Sequence, residues 1–244
     1  MDRTHVVAPD AEVNPVDLLW LCLKLSTLGA LLWLDRTHAF QVMISRPIVA
    51  APFIGVLLGN PMDGLLVGVT VELLWTHHLP MGSATPPDET AFAILATSTG
   101  ILGLETETAL AHADLMYGFA VFLPVAYLYR RVDLRLKETN SRFSRQAEKA
   151  LEARRLKMLA RLNWGGLGLA YGSVFALLFV TSLAGLSFIS ATFPLLPHFL
   201  LKPLHFMAFL VPLVGVASVM SSARGFKDMA VLILAFGLFI YILR

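Results

Sequence analysis

Glu72 interrupts an apolar run, residues 65–79, and shares one helical stripe with Gly64 and Gly68. Small residues line the side of a helix where another backbone packs, so a carboxylate on that side points into a packed interior. At membrane depth such a group costs about 2.5 to 3.5 kcal/mol, and it marks a pathway or, more plainly, a buried acid bonded to backbone or to a basic side chain. Asp88 lies in the segment that follows. Between the two acids, residues 79–90 are too rich in Pro, Gly and hydroxyls to be helical. Irregular backbone at that depth is tolerated only where it is buried in protein or lines a wet cavity. The stretch therefore reads as a re-entrant or broken element holding polar groups at a site, against the plainer reading of an external loop. His77 and His78 have neither metalloprotease spacing nor a cysteine cluster beside them, so no metal site and no cofactor is expected.

The elements that must position these acids are membrane helices. Of 244 residues, 57% are apolar and only 15% charged, with a mean hydropathy of +0.70, outside the balance of a soluble domain. The expected fold is all-α and polytopic, with about eight transmembrane segments at residues 18–34, 42–58, 65–79, 91–104, 109–129, 167–189, 195–220 and 229–243. Residues 1–17 form a polar tail, 18–129 a first membrane bundle with the candidate site, and 162–244 a second bundle. Ala51, Gly55 and Gly59 make a second small-residue stripe, read as a close helix contact and as a groove open to a partner's helix. The lone Cys22 excludes an intrachain disulfide and is read as packing in the first span.

Residues 130–161 hold eleven of the nineteen Lys and Arg residues against four acids. By the positive-inside bias this is a cytoplasmic loop. Orientation alone accounts for it, docking of an acidic soluble partner is the sharper reading, and nucleic-acid binding is not supported.

Five short motifs carry a family resemblance: Leu34-Asp35, Arg46-Pro47, Gly55-Val56-Leu57-Leu58-Gly59, Thr70-Val71-Glu72-Leu73 and Met81-Gly82-Ser83-Ala84-Thr85-Pro86-Pro87-Asp88. In order and approximate spacing they resemble the membrane C component of the mannose/fructose/sorbose family of the sugar phosphotransferase system. One departure is Asn60, where the family has an acid after the glycine, with Asp63 three residues later. The resemblance implies a multi-pass permease of the bacterial inner membrane, working in a hetero-oligomer with a membrane D component and soluble A and B components. The B component would deliver the phosphoryl group, so no phosphoryl-transfer residue is expected on this chain.

A hexose needs fixed acceptors, hydroxyl or amide donors and an aromatic face. Glu72, Asp88, Ser83, Thr85 and Trp75 supply these, and Glu72 and Asp88 occupy the family's two acidic motif positions. Asp35 and Arg46 match two further motif positions and are expected as a gate or ion pair. Two other classes stay open: a proton-coupled secondary transporter using Glu72 or Asp88 as proton carrier, and a non-transporting regulatory membrane scaffold of the same system.

Overall fold

A computed structural model of the chain describes residues 15–76, 86–102 and 112–221. Among these residues every regular element is helical: α1 (Pro15–Leu34), α2 (Pro47–Leu57), α3 (Pro61–Trp75), α4 (Glu89–Leu102), α5 (Ala113–Glu152), α6 (Leu156–Thr192) and α7 (His198–Ser221). A 3-10 turn, Phe193–Leu195, joins the last two. Three helical stretches, Val16–Leu34, Leu156–Leu195 and His198–Ser221, are long and apolar enough to cross a membrane. The segments expected as spans two to four correspond to α2, α3 and α4. At 11, 15 and 14 residues these reach only about 16, 22 and 21 Å. The expected eighth span lies outside the described residues, as do 77–85 of the irregular segment and the tail at 1–14.

Prolines start the short helices. Pro47 and Pro61 sit in the first turns of α2 and α3, where a missing N–H costs nothing, and the Asn60 side chain accepts from the Asp63 amide to cap α3. Between them Gly59 takes φ +81°, the left-handed backbone that closes the hairpin. The two small-residue stripes face each other across it. A Cβ on Gly64 would stand 2.5 Å from the Ala51 carbonyl oxygen, and one on Gly68 2.6 Å from that of Pro47. The groove expected to be open to a partner is therefore filled from within the chain, because backbone-to-backbone packing of α2 on α3 leaves no room for a third helix.

α4 is the centre of the bundle, buried continuously from Thr90 to Gly100 and packed by α1, α2, α3, α5 and α6. Being apolar or hydroxylic on all sides, it suits a position surrounded by other helices. Phe92 meets Phe119 edge-on at 4.8 Å and Trp75 at 5.4 Å, tying α4 to α5 and α3. Cys22 is fully buried, a free thiol in the core.

α5 is 40 residues long and α6 37, about 60 and 55 Å. They run antiparallel, held by Tyr117 to Thr192 (2.9 Å) near one end and by Tyr129 to Thr181 (2.8 Å) farther along. The basic stretch 130–161 is helical on both sides of a turn at residues 153–155, since Leu and Ala recur among its charges at helical spacing. At the end of the bundle near Thr192, His112 reaches Asp63 at 3.5 Å. The ends of α1 and α3, the starts of α2 and α4, and Asp133 of α5 gather at the opposite end.

Gly64→Ala should destabilise the purified protein by about 1 to 3 kcal/mol through overpacking against Ala51. Gly168→Ala, where a Cβ meets nothing within 4 Å, should leave the melting temperature in detergent unchanged or slightly higher.

Candidate functional site

The gathered helix ends enclose a cavity of about 260 Å³, near the lower limit of small-molecule sites. Its wall includes Glu72 and Trp75 from α3, Glu89 from α4, Asp133 and Lys137 from α5, and Asp35, Arg36 and Arg46 from the segment joining α1 to α2.

That joining segment is held under strain. Phe40, Gln41 and Met43 adopt φ of 59°, 55° and 69°, uncommon for residues with a Cβ and costing of order 1 to 3 kcal/mol each. Asp35 offsets this by accepting the Val42 amide (2.7 Å) and the Ser45 amide (3.2 Å). Burial alone would raise the Asp35 carboxyl, but these amide bonds outweigh it and hold the group below its ordinary range. Thr90 adds a bond to the Ser45 carbonyl (2.8 Å), pinning the segment to α4.

Two ion pairs of the same chemistry differ in burial. Asp88 is wholly buried at the N-cap of α4, accepting the Ala91 amide (3.0 Å) and the Trp33 indole N–H and standing 2.9 Å from Arg36 Nη1 as an ion pair. Arg36 Nη2 also approaches Glu89 at 3.6 Å. Both oxygens of Asp88 are engaged, and removing Arg36 would strand a buried charge. Arg46 and Glu72 pair at 3.1 Å with side chains 42% and 23% exposed. A pair that wet contributes at most about 1 kcal/mol and can be exchanged for a ligand.

Several polar atoms of residues on the cavity wall have no hydrogen-bond partner. Glu72 Oε2, the Trp75 indole N–H and Asp133 Oδ1 are shielded from solvent yet unbonded. Asp133 places its other oxygen 2.9 Å from Lys137. The carboxylates of Glu72, Glu89 and Asp133 and the Trp75 indole around one space suit a ligand bearing several hydroxyls.

Of the residues expected from sequence, Glu72 and Trp75 come together on the cavity wall, one helical turn apart. Asp88 does not line it; its neighbour Glu89 does. Asp35 and Arg46 both reach the wall but do not pair with each other, because Asp35 is spent on backbone amides and Arg46 on Glu72. Ser83 and Thr85 lie outside the described residues, as do His77 and His78. Arg36, Glu89, Asp133 and Lys137 were missed. Arg36 and Glu89 directly follow two singled-out acids, and Asp133 is the first acid after the apolar half of α5, signals available in the sequence.

A family model described as the sorbose-specific IIC component of the PTS system matches residues 19–243. The chain is similar to the sorbose-specific EIIC component of Klebsiella pneumoniae, 26% identical over 180 residues, covering 72% of this chain and 63% of that one. It is also similar to the mannose-specific EIIC component of Escherichia coli strain K12, 23% identical over 185 residues, covering 75% and 66%. The matched part thus spans about two thirds or less of the length of these relatives. Among solved structures, one described as a membrane protein aligns with a TM-score of 0.68 at 21% identity, covering 92% of this chain and 86% of that one. The mannose transporter ManYZ in complex with microcin E492 aligns with a TM-score of 0.56 at 20% identity, covering 93% and 86%. At these identities the two structures establish a shared helical membrane fold.

Arg36→Met should destabilise the protein by about 3 kcal/mol or more, since it strands Asp88 in the core. Asp88→Asn in the same chain should recover part of that loss, read as a double-mutant cycle of thermal unfolding in detergent.

Proposed function

Because the chain belongs to the family of sorbose-specific IIC components of the phosphotransferase system, we propose that it is the sugar-carrying membrane subunit of such a system. It binds a hexose of the mannose, fructose or sorbose type and presents it for phosphorylation by a soluble B component, in a hetero-oligomer with a membrane D component and an A component. The observation that carries this reading is the cavity whose wall joins Glu72, Trp75, Glu89 and Asp133 beside an exchangeable Arg46–Glu72 pair.

In this reading Glu72 and Asp133 accept hydroxyl protons, and the Trp75 indole donates one hydrogen bond and offers its face to the apolar side of the ring. Asp88 holds Arg36 in place, and Arg36 with Glu89 forms the neighbouring wall, so the contribution of Asp88 to binding passes through Arg36. Ser83 and Thr85 belong to the segment that continues from α3 toward Pro86, which also lines the cavity, and they remain candidates for sugar hydroxyls. No group on this chain is assigned to phosphoryl transfer.

The proposed setting is the bacterial inner membrane, crossed about eight times with the N-terminus outside. α5 leaves the membrane after its apolar stretch 113–129, and its second half with the turn and the start of α6 places the basic residues 130–161 in the cytoplasm. The cavity, which includes Asp133 and Lys137, then sits toward the cytoplasmic side, where a phosphoryl donor would arrive.

Glu72→Gln exchanges one acceptor oxygen for a donor and should lower sugar affinity on the order of ten- to a hundredfold, the loss of one charge-assisted bond of about 1.5 to 3 kcal/mol. Calorimetry on the purified complex with its D component reads this directly. A proton carrier at Glu72 would give the opposite pattern, with sugar binding kept and coupling to a pH gradient lost. For the topology, a single cysteine at Ser141 in a Cys22→Ser background should react with an impermeant thiol reagent only in opened vesicles.

A further inference from the structure

Beyond the level of the cavity α5 continues as one helix from Asp133 to Glu152. Its packed side carries Leu136, Asn140, Phe143 and Ala147, turned toward α6 and the end of α1. On the opposite side stand Arg131, Arg135, Arg142, Arg145 and Lys149, within about 40° of one line and along about 27 Å of helix. All five are exposed, and none lies within ion-pair distance of an acid among the described residues. One acid, Glu138, falls within the stripe, while Thr139, Ser141, Gln146 and Glu148 occupy its flanks.

Orientation in a membrane depends on how many Lys and Arg residues lie near the end of a span, not on which side of the helix they occupy. Packing of the other side on α6 confines the charges to the exposed half of the helix, and five cations against one acid along one line are the field a partner approaching there would meet. From the sign and spacing of these charges, we propose that the outer stripe of α5 is the docking surface for an acidic face of the soluble phosphoryl carrier that serves this cavity. The proposal deepens the sugar-carrying reading above and rests on its cytoplasmic placement of the arm.

A bilayer fits the stripe less well than a protein does. In the topology proposed above α5 continues out of the bilayer, which sets Arg131 and Arg135 level with lipid headgroups and Lys149 about 27 Å beyond Arg131. A headgroup region is only about 5 to 8 Å deep on each side of the hydrocarbon layer. A protein lying along the arm meets all five cations, and its other end reaches the cavity mouth, where Lys137 is 44% exposed. Exposed like-signed charges raise the rate of encounter with an opposite surface and lose that effect as salt rises.

The test uses the full chain with its D component in nanodiscs of phosphatidylcholine and the phosphorylated B component as the probe. Charge reversal at three sites remote from the cavity, Arg142→Glu, Arg145→Glu and Lys149→Glu together, should weaken B-component binding at least tenfold at low salt. Calorimetric sugar affinity should stay unchanged. The corresponding triple Gln variant, which adds no repulsion, should give a smaller loss in the same direction and guards against misassembly. Wild-type affinity for the B component in both assembled variants would overturn the proposal. So would a loss of binding to phosphatidylglycerol vesicles with B-component affinity intact, which would assign the stripe to lipid. A complex that binds no sugar yet loses carrier affinity on charge reversal would remove the sugar-carrying reading and leave the docking surface standing.

Discussion

The buried carboxylate of Asp88 is the constraint around which the cavity end of the molecule is arranged. It accepts from the Ala91 amide of its own helix and from Trp33 at the end of α1, and it pairs with the charge of Arg36 just beyond. One charge therefore joins the N-terminus of the central helix to the C-terminus of the first. A carboxylate this deep persists only with all its partners in place. That requirement fixes Arg36, and through it the approach of Glu89, on one side of the cavity. Asp35 next to it performs the corresponding task for the strained segment 40–43, spending both oxygens on backbone amides. Two neighbouring residues on the cavity wall, an acid and a base, thus hold the loop and the helix start.

Burial separates structure from function among charges of equal type. Arg36 with Asp88 is shielded and committed, whereas Arg46 with Glu72 is wet enough for either partner to be exchanged. The short lengths of α2, α3 and α4 are part of the same design. Helices of about 16 to 22 Å are shorter than the roughly 30 Å of a full span, and their ends bring charged side chains together at one level. The glycine-lined contact of α2 with α3 keeps that hairpin narrow enough to present Arg46 and Glu72 side by side.

The helical class, the positions of most helices and the inward aim of Glu72 were legible because apolar periodicity and small-residue spacing report directly on packing. The partner of the small-residue groove was not, since a stripe states that a backbone approaches and leaves open whose; here it is the other arm of the same hairpin. Asp88 read as a ligand because its type and its place beside a proline-rich segment fit one. Its role as an N-cap depends on where α4 begins, and helix boundaries are the least certain feature of a sequence. Asp133 was overlooked because it stands in a run dominated by bases, where only the three-dimensional proximity of α1 and α4 distinguishes it from a solvated acid. The basic stretch showed its net charge in the sequence, but the segregation of five cations onto one line depends on its being a continuous helix.

The central claim is that the space among Glu72, Trp75 and Asp133 holds the sugar. A structure of the complex with its D component, determined with a bound hexose and resolved well enough to orient the ring, tests this most directly. The account predicts a sugar whose hydroxyls contact Glu72 Oε2 and Asp133 Oδ1, with the Trp75 indole against the ring and Asp88 still bonded to Arg36. A hexose bound elsewhere in the complex, with these three side chains unchanged and the cavity empty, would contradict it.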